Sequence, residues 1–394
     1  MNFLLALVAF IFLIGCLEIL LRKFHFFGAR ISWAKPDPLI GYRFVPGAYY
    51  WFFQENDHPI QGRINNFGWR DVEWELAKSP DVYRIAVLGD SYVEAFQVEL
   101  EKTFLKLTEK ELRRKLGIKV ELMNFGRSGA TQSEELIILE KDVLKFSPDL
   151  VILFFDPQND ITDISPLTAP NNLRPFFKIS KKGKLILDTS FTRRKEFILK
   201  EKIYWFKRHS ALISLLCEKY NLIWKRKRYR KRELENSKRG MEGYLSLCTS
   251  HPDPLYLENY NLVKTLIKEM VNICKKKNID FLLVCMDIPA YKWEVEEKIK
   301  SIDSSFDSNF FEKDLENFSH SLGIHYLGLQ SIFRKTYQKE RKSLHWAHWN
   351  YLGHRIVAKA LVGKLEGIIW ESFNGKDRKY KREEKGILIP NIQQ

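Results

Sequence analysis

Arg84-Ile-Ala-Val-Leu-Gly-Asp-Ser91 decides the fold. Residues 85–88 form an apolar run with β-branched side chains, too short for a helix, and read as a buried strand. Gly89-Asp90 breaks the run and leaves Ser91 at its end. In an open parallel sheet, chemistry collects outside the carboxyl ends of the strands, so a serine there is placed to act as a nucleophile. It needs a base within hydrogen-bond reach and donors aimed at the developing oxyanion. Without those partners Gly-Asp-Ser is only a polar turn after a strand.

Downstream, the pattern alternates. Residues 103–116 carry apolar side chains at helical spacing and end at Gly117; 119–123 read as a second strand, followed by the loop Asn124-Phe-Gly-Arg-Ser-Gly129. A helix over 133–146 closes before Pro148, and the apolar run 150–155 is a third strand leading into Asp156-Pro-Gln-Asn-Asp160. After an irregular stretch, helices are expected over 259–277, 310–322 and 351–365, and strands over 280–286 and 325–327. Strands alternating with helices imply an α/β protein with a central parallel sheet covered on both faces.

Other segments depart from this rhythm. Residues 3–21 are apolar apart from Glu18, long enough at about 1.5 Å per residue to cross most of a hydrocarbon core, and are read as a single transmembrane anchor. A cleaved signal peptide would want a basic n-region and a small-residue cleavage site. Leu13-Ile-Gly-Cys16 looks like a lipoprotein box, but the apolar run continues past it. Arg22, Lys23, Arg30 and Lys35 all follow the span, which by the positive-inside rule puts the bulk of the chain in the cytoplasm. Residues 25–80, rich in aromatics, Pro, Gly and Asn, read as a loop-rich lead-in, with Trp69-Arg70-Asp71 either docked on the main domain or solvated. Residues 166–255 are an insertion with a hairpin near 184–187, an aromatic helix over 203–220, and a run at 225–232 with seven basic residues in eight. That run reads as a contact for anionic lipid or an acidic glycan, against a solvated charged face. The tail over 371–394 is charged and expected to be mobile. The domain reading is therefore an anchor over 1–24, the lead-in, a main domain over 81–370 and the tail.

The 394 residues, 45% apolar and 14% aromatic, exclude chain-wide disorder. The formal charge of +15 suits an anionic partner without naming one. No recognisable nucleic-acid module is present. Cys16, Cys217, Cys248, Cys274 and Cys285 are scattered, forming neither a disulfide framework nor a zinc site.

Three loops and one late histidine now form a set. Ser91 ends the first strand; Gly129 offers a backbone N–H where no side chain blocks approach; Asn159 offers a carboxamide; His348, in His345-Trp-Ala-His-Trp-Asn350, can supply a base. The set resembles the SGNH (GDSL-type) hydrolase superfamily, with its blocks at Leu88-Gly-Asp-Ser91, Asn124-Phe-Gly-Arg-Ser-Gly129, Asn159-Asp160 and His348-Trp-Asn350 followed by Gly353-His354. The likeness covers 84–165 and 258–367. Gly41-Tyr-Arg43 and Asn66-Phe-Gly-Trp-Arg70 look like the lead-in of membrane-anchored bacterial members. The resemblance implies a three-layer flavodoxin-like fold, Ser91 as nucleophile and His348 as general base. It also implies an oxyanion hole from the Ser91 and Gly129 N–H groups and the Asn159 side chain, with no metal or organic cofactor.

Two positions depart from the family pattern. Pro157 stands where the third block has glycine. Trp346 and His345 stand where the family has the aspartate that orients the histidine. A backbone carbonyl or a carboxylate from elsewhere must then hold His348, and the expectation is a Ser91–His348 dyad on a main-chain oxygen. His345 is the runner-up base. The functional expectation is a serine esterase working through an acyl-Ser91 intermediate on an ester-linked acyl group, such as acetyl on a cell-envelope glycan, with the domain outside the cytoplasm. Its rivals are an acyltransferase of the same fold and a degenerate binder of an acylated glycan or protein.

Overall fold

The computed structural model describes residues 2–24, 32–217, 219–220, 223 and 243–384. Five parallel strands form the central sheet: β5 (Val82–Gly89), β6 (Lys119–Gly126), β7 (Leu150–Phe155), β10 (Asp280–Cys285) and β11 (His325–Gly328), in the order β6-β5-β7-β10-β11. In sequence order this is the 2-1-3-4-5 arrangement of flavodoxin-like folds, whose ligand crevice opens between the first and third strands. That crevice lies between β5 and β7, where both Ser91 and Asn159 follow their strands.

The alternation along β5 sorts its side chains by face. Ala86 and Leu88 join Met123, Phe125, Val151, Leu153 and Phe155 in one core, under α4 (Gln132–Lys141), α7 (Pro254–Lys276) and α9 (Phe310–Leu322). Ile85 and Val87 join Leu122, Ile152 and Phe154 in the other, under α3 (Phe104–Leu116) and α11 (Tyr351–Glu384). Both faces are therefore dry, which is why β7 reads as a continuous apolar run.

The described helices differ from the sequence reading where packing overrides spacing. The helix expected over 133–146 ends at Lys141 and continues as a 3-10 turn. The aromatic helix of the insertion is α6 (Lys195–His209); it breaks at Ser210 and resumes over 211–217. Among the helices of eight residues or more, two went unread, α8 (Trp293–Lys300) and α10 (Gln330–Glu340), whose chains carry few apolar side chains to form a stripe. Of the charged tail, the described residues to Glu384 continue α11, in a stretch rich in the helix formers Lys, Arg and Glu, and 385–394 lie outside the described residues. The hairpin is β8 (Phe176–Ile179) with β9 (Leu185–Asp188). The basic run 225–232 lies outside the described residues.

The lead-in is built from two short antiparallel pairs, β1 (Ala34–Asp37) with β2 (Gly41–Phe44), and β3 (Tyr49–Phe52) with β4 (Ile60–Arg63). Trp69-Arg70-Asp71 is docked rather than solvated. The buried Arg70 guanidinium donates to the Glu94 carbonyl at 3.0 Å, the Val98 carbonyl at 2.5 Å and the Tyr50 hydroxyl at 2.8 Å. Asp71 accepts from the Asn124 backbone N–H at 2.9 Å and pairs with Lys106 at 2.6 Å. The lead-in is thus fastened to the chain that follows Ser91.

Candidate active site

Ser91 is the first residue of a single helical turn, α2 (Ser91–Glu94), capped by Asp90, whose side chain accepts from the Tyr92 N–H. The turn packs so closely on the sheet edge that only glycine fits beneath it. A Cβ on Gly89 would lie 2.4 Å from Val93 Cγ2, and one on Gly126, its partner across the β5–β6 ladder, 2.3 Å from the Glu94 nitrogen. The glycine before Asp90-Ser91 is therefore a packing requirement as well as a turn signal.

Ser91 Oγ lies 2.8 Å from His348 Nε2. His348 comes from the loop between α10 and α11. Asn350 secures that loop, with Oδ1 accepting from the Leu352 and Gly353 N–H groups and Nδ2 donating to the Ser343 carbonyl at 2.8 Å. A Cβ on Gly353 would meet the Leu344 carbonyl at 2.4 Å, so this corner also depends on a missing side chain. The Tyr92 ring packs edge-on to the His348 imidazole at 4.8 Å.

The expected main-chain acceptor for His348 is not what the structure contains. Nδ1 lies 2.7 Å from Glu55 Oε1, and the backbone N–H of His348 donates to Glu55 Oε2 at 2.8 Å. The dyad expectation is corrected: a carboxylate from the tip of the β3–β4 hairpin fills the aspartate's place. Glu55 has a left-handed φ of +75°, a strained conformation for a non-glycine residue that costs on the order of 1 kcal/mol or more. Neighbouring Asn56 fixes the tip, donating to the Gln97 carbonyl at 3.1 Å and the Tyr351 hydroxyl at 2.8 Å. Trp346, at the position where the family carries its acid, instead sets its ring against Tyr351.

Electrostatics follow this geometry. Burial opposes a charge on His348, but the hydrogen bond and charge of Glu55, with Asp90 and Asp156 behind them, prevail and raise its pKa. Burial likewise opposes ionisation of Glu55, and the contacts with His348 prevail and lower its pKa. His345, the runner-up base, faces away from this series. It stacks on Tyr291 at 5.4 Å with Nε2 3.3 Å from Asp287 Oδ2, and burial lowers its pKa to about 3. His354 is a buried structural residue whose Nδ1 accepts from the Phe104 N–H at 3.2 Å.

Asn159 sits in the first turn of α5 (Pro157–Asp163) at the end of β7, and its Nδ2 donates to Asp90 Oδ2 at 2.7 Å. The departure at Pro157 has a local reason: it is the first residue of α5, where a missing N–H costs nothing, and Asp156 caps the turn. Asp90 and Asp156 are both buried, and burial raises both pKa values. Asp90 accepts from Tyr92 and Asn159, while burial and the neighbouring Asp90 charge raise the pKa of Asp156 well above the usual carboxylate range. Gly129 has a φ of +65°. Its loop is held by Arg174 on the Gly129 carbonyl at 2.7 Å, Tyr42 on the Ser128 carbonyl at 2.9 Å, and the Ser128 hydroxyl on Glu94.

The structure thus brings Ser91 and His348 into contact and joins Asn159 to the residue beside Ser91. Glu55 is the residue that sequence reasoning missed; the one local cue is a polar tip, Gln54-Glu-Asn-Asp57, that follows the aromatic run 49–53. A hydroxyl, an imidazole and a carboxylate hydrogen-bonded in series can move a proton off the hydroxyl and stabilise the imidazolium that forms.

A family model described as GDSL-like Lipase/Acylhydrolase matches residues 85–361. No curated protein matches the chain. Among solved structures, LAE5, an alpha/beta hydrolase enzyme from the metagenome of Lake Arreo, Spain, is 13% identical with a TM-score of 0.41, the match covering 73% of this chain and 96% of that one. The acetyl xylan esterase AlAXEase is 16% identical, TM-score 0.39, covering 71% and 97%. A variant of Axe2, an acetyl-xylooligosaccharide esterase from Geobacillus stearothermophilus, is 12% identical, TM-score 0.40, covering 72% and 93%.

Proposed function

Because the chain belongs to the GDSL-like lipase/acylhydrolase family, we propose that it is a serine esterase in which Ser91, His348 and Glu55 form the catalytic triad. The observation that carries this reading is the unbroken series from Ser91 Oγ through His348 to Glu55, at 2.8 and 2.7 Å. Ser91 Oγ attacks the ester carbonyl as His348 Nε2 takes its proton. Glu55 holds Nδ1–H and stabilises the imidazolium. The oxyanion is received by the N–H groups of Ser91 and Gly129 and by the Asn159 carboxamide, whose other hydrogen is held by Asp90. His348 then protonates the departing alcohol, leaving acyl-Ser91. Water attacks this ester with His348 again as base, and the acid is released.

Helix α1 (Asn2–Phe24) is long and apolar enough to cross a membrane, and in this reading it anchors the enzyme. The substrate is a small acyl ester, such as acetyl, on a cell-envelope glycan, with the domain outside the cytoplasm. The basic flank at Arg22 and Lys23 opposes that side, and an inactive C-terminal alkaline phosphatase fusion beside a fluorescent GFP fusion would place the domain inside. The test of the catalytic reading is labelling by a fluorophosphonate. The full chain should be labelled and Ser91→Ala, folded, should not; equal labelling of both would refute Ser91 as nucleophile.

A further inference from the structure

Glu18 is the one acidic residue within the apolar run of α1, and it is not left bare. Its carboxylate accepts from the Ser210 hydroxyl at 2.9 Å and from the Ala211 and Leu212 N–H groups at 2.7 and 3.0 Å. Arg22, one turn on, bonds Glu18 at 2.6 Å and reaches the His209 carbonyl at 2.5 Å. Leu21 is buried against Ala211. The break between α6 and the helical stretch 211–217 is therefore clasped to α1 at a known height. Glu18 lies four residues before Arg22, about 6 Å along the axis. Ser210 to Leu212 thus sit that far on the apolar side of α1's charged end, within the roughly 5–10 Å depth at which interfacial helices lie.

The surface of α6 that leads to this break is apolar. Ile198, Leu199, Trp205 and Phe206 recur on α6 at i, i+1, i+7 and i+8, hence on one face, and each is more than 40% exposed. Leu216 and Tyr220 continue the exposed apolar surface past the break. Phe197, on the opposite face of α6, is buried against Phe191 and holds the helix to the protein. Beside this face, a cavity of about 600 Å³ between α6 and β1 is lined by Lys35, Arg208, His209, Tyr204 and Trp205, with Glu201 the one acidic residue. Two cations beside aromatic walls suit a lipid phosphate, and Trp, Tyr, Lys and Arg are the side chains that favour the membrane–water boundary.

We propose that α6 and the stretch 211–217 lie in the headgroup layer of an anionic bilayer beside α1, with Lys35 and Arg208 seating a lipid phosphate. The inference rests on reading α1 as the membrane anchor. Continuity with α1 selects the occupant: the apolar face is joined to the anchor by Glu18 and Leu21, and α1 is otherwise bare along its length, with Phe3 and Phe12 more than 70% exposed. The docking fixes the height of the domain, so the anchor does not act as a free tether.

The test uses the full chain in nanodiscs of phosphatidylcholine and phosphatidylglycerol at a ratio of about 7:3, a composition with an anionic surface. Cys16→Ser and Cys217→Ser remove the two partly exposed thiols, the other three being buried. An NBD probe is then placed by Phe206→Cys, Leu216→Cys, Ile11→Cys or Lys298→Cys, and quenching by doxyl-labelled lipid is read. Probes at 206 and 216 should be quenched by shallow doxyl lipid, the probe at 11 by deep doxyl lipid, and the probe at 298 by neither. If 206 and 216 match 298 while 11 is quenched, the anchor stands and the docking is overturned. If 11 is also unquenched, the anchor reading itself fails. Spin-labelled phosphatidylglycerol should be retained in preference to phosphatidylcholine, and Lys35→Glu with Arg208→Glu should reduce that preference at least about fivefold. An unchanged preference would overturn the phosphate seat.

Discussion

Replacing Glu55 with glutamine changes almost no volume but removes the charge facing His348. Both carboxylate oxygens are in use, one on Nδ1 at 2.7 Å and one on the His348 backbone N–H at 2.8 Å. A carboxamide has one acceptor oxygen, so whichever way it turns, its NH₂ group faces a donor. The charge is worth more. With charge centres about 4 Å apart and an effective dielectric constant of about 20, the attraction between imidazolium and carboxylate is about 4 kcal/mol. At 1.36 kcal/mol per decade that is about 10³-fold in rate, below the ~10⁴-fold of an aspartate-to-asparagine change in a protease triad. Glu55 raises the pKa of His348, and the neutral imidazole is the working base, so wild-type activity should rise with pH through a value above the ordinary histidine range. In Glu55→Gln the net upward push is gone, so the acid limb should move to lower pH while the plateau falls by about 10³-fold. The assay is kcat/KM for p-nitrophenyl acetate between about pH 5 and 9, with the melting temperature measured alongside. A folded Glu55→Gln enzyme within threefold of wild type, with its acid limb unmoved, would refute the coupling of Glu55 to His348.

Asn159→Ala should lower kcat by about 10²-fold or more with little change in KM, the scale of one oxyanion donor; a loss below threefold in steady-state kinetics removes Asn159 from the site. Gly126→Ala places a methyl 2.3 Å from the Glu94 nitrogen, so it should destabilise by about 1–3 kcal/mol and lower kcat by lifting α2. An unchanged thermal midpoint would contradict the tight packing under Ser91. Arg70→Met leaves the Glu94 and Val98 carbonyls and the Tyr50 hydroxyl without their buried donor, at a cost of about 3 kcal/mol. Urea denaturation should show that loss together with a fall in activity, because Arg70 joins the Glu55-bearing lead-in to α2.

What the sequence by itself determined is what neighbouring residues can encode. The apolar run 85–88 within β5 and the run 150–155 that is β7 are legible because burial on both faces leaves no polar position within them. The serine, the second loop, Asn159 and the late histidine are legible because each stands at a fixed offset from an element boundary. The 2-1-3-4-5 strand order, and the contact between Ser91 and a histidine 257 residues away, were decided by tertiary packing. The resemblance anticipated that pairing; periodicity could not. Glu55 was decided by tertiary structure alone. It lies 293 residues from His348, on a hairpin tip with no periodic signature. Nothing local distinguishes its carboxylate from those of Asp57 or Glu73; what selects it is where Asn56, Arg70 and the β3–β4 pairing hold the hairpin. The break at Ser210 has both origins: Ser210 Oγ caps the next turn locally, accepting from the Ile213 N–H at 3.1 Å, and its hydroxyl donates to Glu18, 192 residues earlier. Periodicity records which face of an element is buried, whereas a single long-range hydrogen bond leaves no mark on the residues around it in sequence.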